Sequence, residues 1–348
     1  MSLFLSLGYV FKGEQCYKNV KEEISLVRKG LVITCVALFM GTCILPSIAQ
    51  DPEKLLLPSR GNWLYVGGSG PGNYSKIQDA IDNASDGDSV FVYGGTYHEY
   101  IVIDKSIHFI GEDKNTTIID GSGRGGIVRI SASQIWLSGF TVQHSETGWN
   151  STGIEINAYS NFNNISLNII KETGEGIRIY HSHHNLISNN IVSSISDVGI
   201  TVDADSENNS IIGNIVNECN TGIALTYSHN NFIRDNIIEH NNCGVFLQNA
   251  SSNNVSWNQF TKNFMGVFLV FSKSNRFSYN NFIFINLTAF FENGNNKWNS
   301  NYWNRPRFLP EPIVGLLAIP LSENGLWISI LWFNFDWHPA QEPYYIGV

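Results

Sequence analysis

The segments Gly153-Ile154-Glu155-Ile156, Gly176-Ile177-Arg178-Ile179, Gly199-Ile200-Thr201-Val202, Gly222-Ile223-Ala224-Leu225, Gly244-Val245-Phe246-Leu247 and Gly266-Val267-Phe268-Leu269 begin 23, 23, 23, 22 and 22 residues apart. Each is followed by a pair of asparagines five positions apart: Asn163/Asn168, Asn185/Asn190, Asn209/Asn214, Asn231/Asn236, Asn253/Asn258 and Asn275/Asn280, then a degenerate Asn296/Asn301. A period of this length marks a solenoid. Apolar residues alternate after each glycine (Ile177 and Ile179; Ile200 and Val202), the signature of a strand with one buried face. Two shorter strands follow in each unit, as in Leu186-Ile187 and Ile191-Val192, and no segment has helical spacing. Three short strands per turn, wound into a coil, place equivalent residues about 4.8 Å apart. Like then lies on like. Asparagine tolerates a left-handed bend, and its amide can bond to the asparagine above and below. Both columns are therefore expected to hold the bends and to form ladders.

Upstream, residues 1–49 read as a leader and signal peptide. Arg28-Lys29 precedes an uncharged apolar run from Gly30 to Leu45, and Pro46-Ser47-Ile48-Ala49 offers small residues where a signal peptidase cuts. The run is short against the roughly 20 residues of a membrane span. An uncleaved signal anchor is the alternative, and the one route to a membrane. Export follows from either reading: a secreted or cell-surface protein. A net charge of −9 gives no footing for nucleic acid. Cleavage after Ala49 removes Cys16, Cys35 and Cys43 and leaves Cys219 and Cys243, 24 residues apart, at what should be similar places in adjacent turns. A disulfide and two stacked buried thiols are both open readings. Nine Asn-x-Ser/Thr sequons, among them Asn115, Asn164, Asn208 and Asn286, fit a surface glycoprotein.

Residues 50–71 read as a linker running into Trp63-Leu64-Tyr65-Val66. From Ser75 to Asn83, Ile77, Ala80 and Ile81 share one helical face, with Ser75 as the expected N-cap. A short amphipathic helix here would cover the raw end of a coil. The run Ile77-Gln78-Asp79-Ala80-Ile81, then Gly87-Asp88-Ser89-Val90-Phe91-Val92, Gly95-Thr96-Tyr97-His98-Glu99, Lys105-Ser106-Ile107 and Thr117-Ile118-Ile119-Asp120-Gly121, resembles the opening of secreted pectin-lyase-like proteins. It is most similar to the NosD-like group with carbohydrate-binding and sugar-hydrolysis repeats. The resemblance covers roughly residues 63–303 and implies a right-handed, single-stranded parallel β-helix over 72–304. That fold hosts lyases, hydrolases, epimerases, adhesins and copper accessory proteins, so it does not decide function. Residues 305–348 break the repeat and read as an irregular C-terminal cap. Two places after each repeat glycine the outward column reads Glu155, Arg178, Thr201, Ala224, Phe246, Phe268 and Phe291. The expectation is that the tail folds back over its apolar end. If Phe246 and Phe268 stay open instead, a stacking surface for sugar rings is the better reading.

The outward face of the first strands is the candidate site. A polysaccharide lyase would use Asp203 and Asp205 to hold calcium against a uronate carboxylate and Arg178 to take the ring proton. A glycosidase would need two carboxyls flanking the bond. Still extended, Asp203 and Asp205 would point the same way, about 6.8 Å apart. Glu155, Tyr180, His181, Tyr227 and His229 line the same face as sugar contacts. His181, His183 and Asp205 form a candidate metal set, with copper suggested by the NosD resemblance. The acid, His and Arg-Ile-Lys motifs of polygalacturonases are absent. Three readings follow: a β-helix that binds a polysaccharide or surface glycan without catalysis and needs no cofactor; a lyase or glycosidase; a copper-handling accessory.

Overall fold

The computed structural model describes residues 61–146, 151–320 and 327–347. The leader, its apolar run and residues 50–60 of the linker lie outside the described residues. Within them the chain winds as a parallel solenoid of about eleven turns with three strand columns. The repeat register is the one the glycines dictate: Ile154, Ile177, Ile200, Ile223, Val245 and Val267 pair successively. All are fully buried, as are Ile187, Ile211 and Ile233 of the second column and Val192, Val216 and Ile238 of the third. Toward the C-terminal end the filling turns aromatic. Phe260, Phe282 and Trp303 stack with centroids 4.8 Å apart at each step, and Phe277 lies 4.2 Å from Trp298.

Both asparagine files form the expected ladders. Each side-chain Oδ1 accepts the backbone N–H of the asparagine one turn earlier, at 2.8–3.1 Å from Asn163 to Asn296 and from Asn168 to Asn301. The amide nitrogens also donate, as Asn209 Nδ2 does to the Ser182 carbonyl at 3.0 Å.

The bends are a correction, because the ladder asparagines do not hold them. In the second file Asn190, Asn214, Asn236, Asn258 and Asn280 form the rungs, but left-handed φ falls on the residue just before each: Asn189, Gly213, Asp235, Trp257 and Tyr279. The first file does the same, with His184, Asn208, Asn230, Ser252 and Ser274 turning the chain ahead of Asn185, Asn209, Asn231, Asn253 and Asn275. The reason is directional. A side chain that bonds along the axis must point inward, so its neighbour makes the turn. Burial agrees: Asn190 is 1 % exposed and Asn214, Asn236, Asn258 and Asn280 are 0 % exposed. These five are structural residues inside the coil, out of reach of any ligand on its surface.

Strand Trp63–Val66 lies in the stretch read as linker, yet it already pairs with Ser89–Val92 as the first rung of the second column. The helix spans Ile77–Asn83 and buries Ile77, Ala80 and Ile81. Its N-cap is Lys76 rather than Ser75, without a capping side chain of its own. The Glu99 carboxylate does that work from the next turn, accepting the N–H groups of Ile77 (2.9 Å) and Gln78 (3.1 Å).

The tail departs from expectation. It is a hairpin, Glu311–Pro320 antiparallel to Trp327–Asp336, not an irregular segment. Its first strand pairs in parallel with Leu287–Glu292, placing Val314 on Phe290. It extends the first column by one rung instead of folding back over it, because a strand is what the open N–H and C=O edge of the last turn can pair with. The outward column also continues through Phe290, not Phe291, which is buried. The 22-residue step holds into the last turn, where Thr288 replaces the repeat glycine.

Candidate functional site

The outward face of the first column runs Arg129, Glu155, Arg178, Thr201, Ala224, Phe246, Phe268, Phe290, Val314. It is charged toward the N-terminal end and apolar toward the C-terminal end. Phe246 and Phe268 have ring centroids 5.5 Å apart, and Phe268 and Phe290 6.0 Å; all three remain half-buried, without the tail across them. The bend beside this face carries Tyr159, His181, Tyr227 and Phe271, all with left-handed φ. Tyr159, Tyr227 and Phe271 are exposed, and Tyr180 on the face itself is 38 % exposed.

Of the residues singled out in the sequence, Arg178 and Asp203 come together. Arg178 Nη2 donates to Asp203 Oδ2 at 2.9 Å, and the guanidinium lies 5.1 Å from the centre of the Tyr180 ring. Glu155 instead faces Arg129 at 4.0 Å. Asp205 does not join them. Ala204 and Asp205 have φ of +55° and +58°, so the chain has left the strand, and the alternation that would align the two acids is broken. Glu175, one residue before the repeat glycine, was missed. Its carboxylate is 3.9 Å from Arg178. Burial raises its pKa, Arg178 opposes that, and Asp197 and Asp203 add to the rise. The row Thr152, Glu175, Val198, Thr221 was available to show that this position faces outward.

The histidines serve the coil. His183 Nδ1 accepts the Glu207 N–H at 3.1 Å, and His229 Nδ1 accepts that of Ser251 at 3.0 Å. His181 Nδ1 meets the Ala204 carbonyl at 2.8 Å and can only donate there. Cys219 and Cys243 are free and do not occupy equivalent places. Cys219 precedes the strand, where the next turn has Asn241, while Cys243 pairs with Thr221. Burial pushes both thiols up to about 12.

A second polar cluster spans three turns at the bend after the third column. His144 Nδ1 lies 2.7 Å from Asp120 and its Nε2 2.6 Å from Glu172. Gln143 Nε2 donates to Asp120 at 2.9 Å, and the Ser122 N–H at 2.8 Å. Burial tends to raise Asp120, but the hydrogen bonds from Gln143, His144 and Ser122 and the charge of His144 outweigh it and hold the carboxyl at about 2. His144 is raised, first by its bond to Asp120, against the effect of burial. An imidazole bridging two carboxylates has no lone pair to offer, so this is a clamp between turns rather than a base. Asp120 contributes stability above its unfolded value of 3.8 and loses it as pH falls through about 2; His144 contributes below 6.5 and loses it as pH rises through its elevated value. Both contributions are complete between about pH 4 and 6.5. His144→Gln is expected to destabilise the fold most within that window, by about 1 kcal/mol or less because His144 and Glu172 are half-exposed. Thermal scans of both proteins from pH 3 to 9 check this; parallel curves would contradict it.

Residues 81–315 match the family model described as periplasmic copper-binding protein (NosD). Among solved structures, the complex of XylC with xylose is similar at 12 % identity and a TM-score of 0.55, covering 74 % of this chain and 72 % of that one. The GH136 lacto-N-biosidase from Eubacterium ramulus is similar at 10 % identity and a TM-score of 0.55, covering 69 % of this chain; the chain spans only 60 % of that protein. A DFA-IIIase from Arthrobacter chlorophenolicus A6 in complex with GF2 gives 12 % and 0.53, over 70 % and 80 %. At such identities the likeness is one of fold. No curated protein matches the chain. Of the donors described above, His181 alone keeps an open Nε2 lone pair, because its Nδ1 donates to the Ala204 carbonyl, and one nitrogen does not make a copper site. The proton of a neutral His183 sits on Nε2, the thiols are held protonated, and Asp205 has turned away at the bend. Among the described residues, no three His, Cys, Asp or Glu side chains are placed to share one ion.

Proposed function

The chain belongs to the NosD family of periplasmic copper-binding proteins, and on that footing we propose that it is an extracytoplasmic β-helix protein that binds an extended glycan without cleaving it. The glycan lies along the outward face of the first column. The observation that carries this reading is the half-buried file Phe246, Phe268, Phe290, which continues the polar run of Glu155, Arg178 and Thr201. Aromatic faces supply stacking area for the apolar side of sugar rings, and the polar rungs supply hydrogen bonds to hydroxyls. Tyr180, His181, Tyr227 and His229 rim the same face. No helix among the described residues is long and apolar enough to cross a membrane.

Binding without cleavage is favoured because Asp203 is tied to Arg178 and Asp205 lies past the end of the strand, at the bend. One observation supports a lyase or glycosidase instead: Glu175, a carboxyl with raised pKa, shares Arg178 with Asp203. A panel of polyuronates and neutral glycans separates the two. Titration is expected to show binding that falls about tenfold in Phe268→Ala, with no new reducing ends or unsaturated product. Product that disappears in Asp203→Ala would replace this reading with the enzymatic one.

A further inference from the structure

The hairpin outruns the last turn it rests on. Its first strand lies over Leu287–Glu292 through Val314, Gly315 and Leu316. Past them it is tied to that turn by the Ala318 N–H, which donates to Asn293 Oδ1 at 2.6 Å. The second strand meets the solenoid at its far end, through Asn334 and the bridge of Asp336 to Trp298. Residues 317–320 and 327–333 therefore project as a two-stranded ribbon, paired with each other. A ribbon of two strands is marginal by itself in water, and a third strand or an apolar surface is what makes one stable.

The ribbon is apolar and its edge is open. Ile319, Ile328, Leu331, Trp332 and Phe333 are all exposed, Leu331 at 65 %. Glu323 is the only charged residue in the sequence between Glu311 and Asp336. Among the described residues, the outer edge of 327–333 has no strand partner. Such edges are ordinarily blunted by lysine, proline, a bulge or shortness. The strand Trp327–Asp336 is ten residues long, pairs with Glu311–Pro320 without a bulge, and contains neither Lys nor Pro. A bilayer would accept the side chains but leave the edge N–H and C=O groups unpaired in hydrocarbon. Another strand satisfies both. The same strand of a second copy fits although each chain carries −9, because a two-fold axis sets an uncharged edge against itself. At ~150–200 Å² for a whole side chain, the five exposed residues offer on the order of 400 Å² per copy. Two copies, with their edge backbone, approach the roughly 1,000 Å² at which specific interfaces begin. We propose that the protein is a homodimer held by its hairpins. The Trp327–Asp336 strands of two copies pair antiparallel, edge to edge, and make one four-stranded sheet. The contact uses the same edge on both copies, so it closes at two.

The test is sedimentation equilibrium of the full chain between about 1 and 100 μM, where a species of twice the chain mass is expected. Leu331→Lys and Ile328→Lys each set a charge on the edge beside its own copy and should weaken association at least about tenfold. Both residues are exposed, so both variants are expected to fold. Phe264→Lys, 61 % exposed on a bend of the solenoid, should leave the mass unchanged. Hydrogen exchange should find amides of residues 328–333 protected in the native protein and released in Leu331→Lys. A chain that stays monomeric at about 100 μM overturns the proposal, and its capture by phosphatidylcholine vesicles would assign the ribbon to lipid instead. A mass that keeps rising past two copies also overturns it. So does association that both hairpin variants retain, whether through the apolar leader or through another face.

Discussion

Asn209→Ala is expected to cost roughly 3–5 kcal/mol, although it removes only a small polar side chain, because two buried donors lose their acceptor at once. Asn209 Oδ1 accepts both the backbone N–H of Asn185 at 2.8 Å and the Asn185 side-chain amide at 3.1 Å. Alanine leaves both facing hydrocarbon. The Ser182 carbonyl also loses its donor, Asn209 Nδ2. Water cannot compensate, since Asn185 and Asn209 are 1 % and 0 % exposed. Asn209→Asp should fare no better: the acceptor survives, but an oxygen then meets Asn231 Oδ1, where an amide donated at 3.2 Å. Asn242→Ala is the control. Its amide reaches only the exposed Asn220 side chain, and a change within about 0.5 kcal/mol is expected. Each rung touches only its neighbours, so the loss should appear as local opening. Hydrogen exchange is the suitable readout, with amides of the turns containing Asn185 and Asn209 deprotected first. Equal protection in Asn209→Ala and Asn242→Ala would remove the ladder as a source of stability.

The ladder was legible from sequence because identical residues at a constant spacing require a stacked geometry, whatever the bends look like. What the spacing does not carry is which residue of a bend takes left-handed φ. Asn190, Asn214, Asn236, Asn258 and Asn280 invited that role, yet the residue before each holds it, even where that residue is Trp257 or Tyr279, with no special turn propensity. Strand ends are equally silent in sequence: Asp203 closes its strand and Asp205 does not continue it, which separates two acids that alternation alone would align. Arg178 and Asp203 were found because they lie at register positions inside the regular repeat. The Asp120–His144–Glu172 clamp was not. Asp120 and His144 precede Gly153, where turn lengths vary, and His144 meets Glu172 across 28 residues rather than 22 or 23. The tail escaped for a related reason: apolar runs around a break fit a hairpin and an irregular cover alike, and only pairing with the last turn decides between them.

That pairing leads to the second large expected effect, loss of the C-terminal end on Asp336→Ala. A ladder of amides has a problem at its last rung, where donors still arrive from below but nothing above needs one. The second strand of the hairpin ends both files, and in one of them it does so with a change of residue type. Asn334 accepts the Asn296 N–H at 2.9 Å and ends one file. The other ends on Asp336, which is fully buried. Its Oδ2 accepts from the Asn301 backbone (2.9 Å), the Asn301 amide (3.0 Å) and Trp303 Nε1 (3.1 Å). Its Oδ1 accepts the N–H groups of Ser300 (3.1 Å) and His338 (3.2 Å). A carboxylate is all acceptor, which suits a position that receives and passes nothing on. Alanine strands these donors together and should cost at least about 4 kcal/mol, enough to detach the hairpin from the last turn. Asp336→Asn keeps one acceptor oxygen and turns the other into a donor facing donors, so it should fall between alanine and the native residue. Asparagine is thus the right side chain at Asn209, whose amide also donates onward to Asn231, and the wrong one at Asp336, where both oxygens receive donors. Limited proteolysis followed by mass spectrometry tests this. Cleavage within residues 305–347 should accelerate in the order native, Asp336→Asn, Asp336→Ala, while turns around Asn209 keep their resistance. Native-like resistance of the tail in Asp336→Ala would mean that the hairpin is held without the Asp336 carboxylate, by its strand pairing with the last turn and the Asn334–Asn296 bond.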